Sequence, residues 1–282
     1  MTASVKIPPP PAAPRPVCVL GVGRSGTSLA ARALNRLGVD LGDEDTMLPP
    51  GEANPKGFWE QRDVVALNDQ ILAALGGEWW RPPPRPPGWE RWDVVAPFRE
   101  RIAELVERHF GGSPRWGFKD PRTTLTLPLW RSVVGEFDYV ICLRNPLEVI
   151  ASAGGALPGT VDEPRLWLQY SCEALRVTAG CRREFVFYEE WLGDAEAVGR
   201  RLARFLDPGR RDDAWSSAAE TWDPLLRRQQ SDDVELAQRA DLPIEVRVFH
   251  FVARTLADAE RLGAPRASAL QALAVDLDGG FA

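Results

Sequence analysis

One stretch of the sequence decides the fold: Val17-Cys18-Val19-Leu20-Gly21-Val22-Gly23-Arg24-Ser25-Gly26-Thr27-Ser28. It begins with a short apolar run, Val17–Val22, which is typical of a buried strand. Apolar residues then recur at helical spacing from Thr27 to Leu37, so a glycine-rich turn joins the strand to a helix. Glycines let backbone N–H groups approach an anion, and the amino end of a helix adds a favourable dipole. The stretch therefore predicts a phosphate-binding turn in an α/β protein.

Strands and helices alternate along the rest of the chain. Further short apolar runs predict strands at Arg115–Lys119, Tyr139–Leu143 and Glu184–Tyr188. Helical periodicity predicts helices at 62–75, 97–110, 146–153 and 164–182, then one ending at Leu206 and a mainly helical remainder. This alternation predicts a P-loop-like three-layer α/β fold, with a central parallel sheet of about four or five strands and a helical C-terminal region.

Length and local composition set the expected domain organisation. The 282 residues suffice for one large α/β domain or two small ones, and we expect a single domain over residues 17–282. Residues 1–16 are rich in proline, which predicts a flexible extended tail. Residues 77–93 form a Trp- and Pro-rich insertion. Its tryptophans suit either stacking on a flat ligand or packing on the body of the fold.

Charge and cysteine usage disfavour several function classes. The formal net charge of −6 disfavours a nucleic-acid binder, which would need a basic surface. No apolar stretch approaches the roughly 18 residues of a membrane helix, and we expect no signal peptide. The four cysteines and two histidines show no metal-ligand spacing. We therefore expect no metal site, no membrane span and a reduced, cytoplasmic setting.

The glycine-rich turn fits two known phosphate-binding patterns imperfectly. A Walker A motif would have a lysine at position 27, where this chain has Thr27, and the nearby cation is instead Arg24. Gly21, Gly23 and Gly26 also satisfy G-x-G-x-x-G, the pattern of dinucleotide-binding proteins. The segment where the second strand of such a protein should follow is short and interrupted by a glycine. A P-loop kinase or nucleotide-binding protein and a Rossmann-type NAD-linked oxidoreductase stay open as alternatives.

A second anion-binding pattern follows the predicted strand Tyr139–Leu143. That strand delivers Arg144 at its carboxyl end, and Pro146 is well placed to start the helix that carries Ser152. In parallel α/β sheets, ligands bind beyond the carboxyl ends of the strands. We therefore expect Arg144 and Ser152 to converge on a second phosphate group near the glycine-rich turn.

Together these motifs closely resemble the sulfotransferases that use 3′-phosphoadenosine 5′-phosphosulfate (PAPS). The resemblance covers roughly residues 17–206 and rests on Gly23–Ser28 and on Arg144-Asn145-Pro146 followed by Ser152. Two further stretches resemble those of bacterial members and of the carbohydrate and tyrosylprotein branches: Asn54-Pro55-Lys56-Gly57-Phe58-Trp59-Glu60 and Gly117-Phe118-Lys119-Asp120-Pro121-Arg122. The segment Phe187-Tyr188-Glu189-Glu190-Trp191-Leu192 resembles the tyrosine-acid-acid element that follows a core strand in the family.

The resemblance implies a donor site that needs no metal. It assigns the 5′-phosphosulfate of PAPS to the glycine-rich turn, where Arg24 would neutralise charge on the departing oxygen. It assigns the 3′-phosphate to Arg144 and Ser152, because a guanidinium suits phosphate geometry, and contact with adenine to Tyr188. The donor-binding residues implied in this way are Arg24, Ser25, Gly26, Thr27, Ser28, Arg144, Ser152 and Tyr188. The product would be adenosine 3′,5′-bisphosphate.

The resemblance also implies catalytic residues and an acceptor. Lys119 matches a lysine that lies beside the transferred group in some branches, and Glu60 is our first choice for the general base. Glu44 and Asp45 are the alternative bases. The expected reaction transfers a sulfonate to a hydroxyl or amine of a small-molecule or glycoconjugate acceptor. The insertion at 77–93 is expected to form part of the acceptor cleft, and the oligomeric state stays open.

Overall fold

A four-stranded parallel sheet lies at the centre of the computed structural model, which describes residues 14–51, 54–154, 157–209 and 231–277. Its strands lie in the order β2-β1-β3-β4. Their bounds are β1 (Val17–Leu20), β2 (Gly117–Lys119), β3 (Asp138–Leu143) and β4 (Arg183–Phe187). In the central pairings, Val17 lies opposite both Gly117 and Asp138. The predicted α/β class and parallel sheet are therefore confirmed.

Helices connect and flank these strands. The helices before β2 are α1 (Thr27–Arg36), α2 (Arg62–Ala74) and α3 (Pro97–Phe110). Those between β2 and β4 are α4 (Thr123–Val134), α5 (Pro146–Ala153) and α6 (Glu163–Val177). Those after β4 are α7 (Tyr188–Leu206), α8 (Asp233–Gln238), α9 (Ile244–Arg261) and α10 (Ala267–Asp276). The predicted helical C-terminal region is confirmed over the described residues 231–277.

Alternating side chains build a hydrophobic core on each face of the sheet, because successive residues of a strand point to opposite sides. On one face, Cys18 and Leu20 pack in a cluster with α2, α3, α4, α6 and α9. On the other face, Val17 and Val19 pack with α1 and α7. The sheet is therefore the middle of three layers, as predicted.

Helix α4 is an element that the sequence analysis did not predict. Its sequence is rich in β-branched residues and contains Pro128, both of which disfavour a helix. Burial overrides this propensity, since Leu127 and Trp130 are fully buried in the core. The Trp130 Nε1–H also donates to Asn68 Oδ1 of α2 at 2.9 Å. Tertiary packing, rather than local preference, holds this segment helical.

The first strand is shorter than its apolar run predicts. β1 ends at Leu20, because Gly21 takes a φ of 136° that leaves the extended region. The Gly21 N–H then donates to Thr124 Oγ1 at 3.0 Å instead of continuing the strand ladder. The chain therefore leaves the sheet after Leu20 and enters the glycine-rich loop.

Some predictions lie partly outside the described residues. Residues 1–13 of the predicted tail are among these, so the tail stays a prediction. Within the described ranges, no helix combines the length and apolarity that crossing a bilayer requires.

Candidate active site

The carboxyl ends of β1 and β3 form the switch point of the sheet. The chain leaves β1 toward β2 on one side and leaves β3 toward β4 on the other, so the two connections diverge and open a crevice. A cleft of about 450 Å³ lies at this position. The predicted site residues that line it are Arg24, Gly26, Thr27, Ser28, Glu60, Arg144, Ser152 and Tyr188. The structure thus brings both predicted anion-binding motifs to one cleft.

Two glycines allow the loop to follow its path. A Cβ on Gly21 would lie 2.4 Å from the Cys142 carbonyl oxygen, and one on Gly26 would lie 2.8 Å from Tyr188 Cδ2. Gly26 has a φ of 86°, and Arg24 has a φ of 72°, which is uncommon for a residue with a side chain. The loop therefore lies close against β3 and against Tyr188, in a conformation that favours glycine.

Two loop hydroxyls have no hydrogen bond to the protein in the part of the chain that the structure describes. Ser25 does not itself line the cleft, and its Oγ is buried in the turn without a partner, which costs about 1–3 kcal/mol unless a ligand supplies one. Thr27 is 3% exposed and lines the cleft, and its hydroxyl is likewise uncommitted. An unsatisfied hydroxyl inside a glycine-rich turn is what a site for an anionic group requires. The turn therefore fits an anionic group, such as the phosphosulfate that the resemblance implies there.

Arg144 is enclosed by protein groups. Its Nε donates to Glu148 Oε2 at 2.8 Å and its Nη2 lies 2.7 Å from the same oxygen. Its guanidinium carbon lies 4.0 Å from the centre of the Tyr188 ring, in cation–π geometry. Glu148 is fully buried, and its other carboxylate oxygen accepts from the Ser231 N–H at 3.0 Å. Arg144 is thereby fixed at the wall of the cleft before any ligand binds.

Arg24 links the two predicted motifs. Its Nε donates to Ser152 Oγ at 3.0 Å, and its carbonyl oxygen accepts from Arg144 Nη1 at 3.1 Å. The loop after β1 and the motif after β3 are therefore in direct contact, although 120 residues separate Arg24 from Arg144.

A buried ion pair lies beside the loop. Lys119 does not line the cleft itself. Its Nζ is hydrogen-bonded to Glu60 Oε1 and lies 3.3 Å from Ser28 Oγ, and Glu60 and Ser28 both line the cleft. Burial raises the pKa of the Glu60 carboxyl above its ordinary value, while the neighbouring Lys119 ammonium holds the rise back. A carboxyl with a raised pKa is better suited to accept a proton near neutral pH.

Arg122 is a site residue to which the sequence analysis gave no role. Its Nη1 lies 3.7 Å from Glu60 Oε2 and 2.9 Å from Asp120 Oδ1. Its guanidinium also lies 5.6 Å from the Trp79 ring centre. The signal was its place in Gly117–Arg122, one of the quoted motifs, but only the fold shows that it reaches the second oxygen of Glu60.

The alternative bases lie elsewhere. Glu44 and Asp45 stand on an exposed 3₁₀ turn, Glu44–Thr46, and neither lines the cleft. Of the carboxylates that were candidates for the base, the structure places Glu60 at the cleft. The exposed position of these acids also disfavours a dinucleotide site, in which an acidic residue about 20 positions after the glycine-rich turn binds the ribose.

The tryptophans of the predicted insertion divide between the two roles left open for them. Trp79 lines the cleft. Trp89 is buried in the core, and Trp92 is 44% exposed. Trp80 packs partly buried against the same core. The insertion therefore contributes Trp79 to the cleft, while Trp80 and Trp89 anchor the insertion itself to the core.

The described fold and cleft define an α/β protein of the three-layer P-loop-like class, with two polar motifs at its switch point. No protein-family model matches the chain. The chain is similar to a Caenorhabditis elegans protein named "Putative protein-tyrosine sulfotransferase", with 28% identity over 125 residues. The matched stretch is 41% of this chain and 47% of the relative, so the match spans about half of that protein's length. This distant similarity supports a relationship to sulfotransferases.

Proposed function

We propose that this protein transfers a sulfonate group from PAPS to a hydroxyl or amine of an acceptor. One observation carries the proposal: the loop after β1, the Arg144 motif after β3 and Glu60, which is paired with Lys119, meet at a single cleft. PAPS has two separate anionic groups, so it needs two such motifs. The distant relative named as a sulfotransferase supports the same reaction type.

The proposed donor site uses both motifs. The turn at 24–28 would hold the 5′-phosphosulfate, with the uncommitted hydroxyls of Ser25 and Thr27 and with the Arg24 guanidinium. Arg144 and Ser152 would hold the 3′-phosphate. Glu148 takes Nε and one N–H of Nη2, and the Arg24 carbonyl oxygen takes one N–H of Nη1, so Arg144 keeps one further N–H on each terminal nitrogen for a ligand. Tyr188 would border the adenosine, since it lines the cleft beside Arg144.

The proposed transfer is an in-line displacement. The acceptor oxygen or nitrogen attacks sulfur, the bond from sulfur to the bridging phosphate oxygen breaks, and adenosine 3′,5′-bisphosphate is released. Glu60 receives the proton of the acceptor, and Arg24 and Lys119 offset the charge that develops on the departing oxygen. Positioning and charge stabilisation would supply most of the catalysis. The reaction needs no metal.

The acceptor side of the cleft is aromatic and apolar. Trp59 and Trp79 line it and are partly exposed, whereas Trp167 and Tyr170 lie almost fully buried behind the surface. Such a wall suits a small molecule or a glycoconjugate with a flat or apolar part, because large aromatic side chains stack on such groups. Lys56 also lines the cleft and adds positive charge there.

A thermal-shift panel tests the donor assignment. We expect adenosine 3′,5′-bisphosphate to raise the melting temperature, and adenosine 5′-monophosphate to raise it much less because it lacks the 3′-phosphate. ATP with Mg²⁺ represents a kinase, and NAD represents an oxidoreductase. A shift with either of these and none with adenosine 3′,5′-bisphosphate would overturn the proposal.

A Glu60→Gln variant tests the base. We expect it to keep its affinity for adenosine 3′,5′-bisphosphate and to lose transfer of radiolabelled sulfonate to any acceptor that wild type uses. A panel of phenols, oligosaccharides and tyrosine peptides would supply that acceptor. Unchanged transfer by the variant would remove Glu60 from the mechanism.

A further inference from the structure

We propose that Ser28 is a positioning residue that holds the segment Asn54–Glu60, here called the Glu60 segment, against the donor loop. The resemblance assigned the Ser28 hydroxyl to the donor. The structure assigns it instead to the protein, as the link between the loop and the segment that carries the proposed base. The roles of donor and base rest on the proposed function, whereas the link itself rests on contacts within the chain.

The hydrogen-bonding capacity of the Ser28 hydroxyl is fully used. A serine hydroxyl has one proton to donate and two lone pairs to accept with. Ser28 Oγ donates to the Phe58 carbonyl oxygen at 3.0 Å. It accepts from Asn54 Nδ2 at 3.0 Å and from Lys119 Nζ at 3.3 Å. A bound phosphosulfate would have to displace one of these three partners to reach it.

The neighbouring residue provides a direct contrast. Thr27 also lies in the first turn of α1 and lines the same cleft, but its hydroxyl has no hydrogen bond among the described residues. The two adjacent hydroxyls therefore differ in their hydrogen bonding to the protein. Thr27 is open to a ligand, and Ser28 is engaged with the Glu60 segment.

The Glu60 segment contains a strained residue that contacts from outside the segment must stabilise. Trp59 has a φ of 60°, a left-handed conformation that is a clear outlier for a bulky residue. Such strain costs about 1–3 kcal/mol and persists only where surrounding contacts impose it. Ser28 binds the carbonyl oxygen of Phe58, the residue directly before this strained position. The Trp59 Nε1–H also donates a hydrogen bond to the Lys56 carbonyl oxygen at 3.1 Å.

The strained turn sets the direction of the Glu60 side chain. Glu60 follows Trp59 directly, and its carboxylate meets Lys119, which also contacts Ser28. The Lys119 ammonium group thus connects the Ser28 side chain of the loop with the Glu60 side chain of the segment. Loss of the Ser28 hydroxyl would remove the hydrogen bonds at Asn54 and Phe58 together and leave Glu60 as the one side-chain partner of Lys119 among the described residues.

Adjacent hydroxyl deletions separate the two roles. The variants are Ser28→Ala, Ser28→Thr and Thr27→Ala. Hydrogen–deuterium exchange measures the amides of residues 54–60, and calorimetry measures the affinity for adenosine 3′,5′-bisphosphate. For Ser28→Ala we expect exchange in 54–60 to accelerate about tenfold, the equivalent of one or two lost hydrogen bonds, with affinity changed by less than about threefold. Ser28→Thr keeps a hydroxyl and should restore slow exchange.

Thr27→Ala should show the reverse. We expect its affinity for adenosine 3′,5′-bisphosphate to fall about tenfold, with exchange in 54–60 as in wild type. If Ser28→Ala is poorly folded by circular dichroism, Asn54→Ala removes one of the same bonds from the other side and should accelerate the same amides.

The outcomes distinguish this inference from the proposed function. Unchanged exchange in 54–60 for Ser28→Ala, or a tenfold loss of affinity that Ser28→Thr restores without any effect on exchange, overturns the positioning role. If wild type binds no adenosine 3′,5′-bisphosphate, the proposed function fails. The exchange measurement then decides the Ser28 link alone, because it needs no ligand.

Discussion

Arg144 and Arg24 are the two arginines proposed for the donor, and the protein holds them in opposite ways. Arg144 is 5% exposed, paired with the fully buried Glu148 and covered by the Tyr188 ring. Arg24 is half-buried on a loop with a φ of 72°, and its Nε reaches across to Ser152. One arginine is buried in the wall of the cleft, and the other lies half-buried on the glycine-rich loop.

The difference shows that similar chemistry can have different structural requirements. Arg144 is preorganised by a carboxylate one helical turn later, so its charge is balanced before a ligand arrives. Such a pair is sensitive to the loss of either partner, because the remaining charge is buried. Arg24 has a smaller structural role, but its backbone conformation is strained. We therefore expect Arg144 to affect stability strongly and Arg24 to affect mainly binding.

The largest expected effect is that of Arg144→Met. It removes the ion pair that Arg144 makes with the fully buried Glu148, so the free energy of unfolding should fall by about 3–5 kcal/mol. Chemical denaturation measures this loss. The double variant Arg144→Met/Glu148→Gln removes both charges and should recover most of the stability, although it should not recover donor affinity. A single variant as stable as wild type would show that the pair is unimportant for folding.

Lys119→Met comes next and tests a third cation. Lys119 restrains the rise in the Glu60 pKa that burial causes, so its removal should raise the pKa of that carboxyl further. The folded protein would then hold this proton more tightly than the unfolded chain does. The variant's stability should therefore be greatest at acid pH and fall as the pH rises through the folded-state pKa.

Unfolding midpoints of Lys119→Met at acid and neutral pH, relative to wild type, measure this effect. The matched control is Lys119→Met/Glu60→Gln, in which the added pH dependence should disappear because the titrating group is gone. If the single variant shows the same pH dependence as wild type, then Lys119 does not control the Glu60 carboxyl.

Sequence patterns predict the parts of this fold that local chemistry determines. The bounds of α3, Pro97–Phe110, coincide with the prediction because a proline at the first position marks the start. The strand bounds agree to within about two residues, as expected for apolar runs. Helix α4 escapes prediction because its stability comes from the burial of Leu127 and Trp130 against other elements.

The candidate site divides in the same way. The glycine-rich turn and Arg144 are visible in the sequence because each has a local motif. The partners of Arg144 and Ser28 are less visible. Glu148 looks like any helical acid until its burial is known, and Ser28 meets Lys119 from 91 positions away. Which hydroxyl binds a ligand and which binds the protein therefore depends on tertiary contacts.

Gly26→Ala tests the contact between the loop after β1 and Tyr188, the first residue after β4. The new Cβ would lie 2.8 Å from Tyr188 Cδ2 at a φ of 86°, so both the ring and the backbone oppose it. We expect a loss of about 1–2 kcal/mol in the free energy of unfolding. Donor binding should also weaken, because the displaced Tyr188 ring would change its contact with the Arg144 guanidinium. Gly23→Ala is the control, since a Cβ there meets nothing within 4 Å. Equal stability of the two variants would contradict the close approach of the loop to Tyr188.

The smallest expected effect separates the Arg24 side chain from its backbone. Arg24→Gly and Arg24→Ala both remove the guanidinium, so both should weaken binding of adenosine 3′,5′-bisphosphate by at least about tenfold. Only glycine accepts the φ of 72° without strain, so Arg24→Gly should be about 1 kcal/mol more stable than Arg24→Ala. Thermal denaturation and calorimetry on the same samples measure both quantities. Equal stabilities would show that Arg24 does not hold this conformation in solution, whereas a loss as large as that of Arg144→Met would erase the difference between the two arginines.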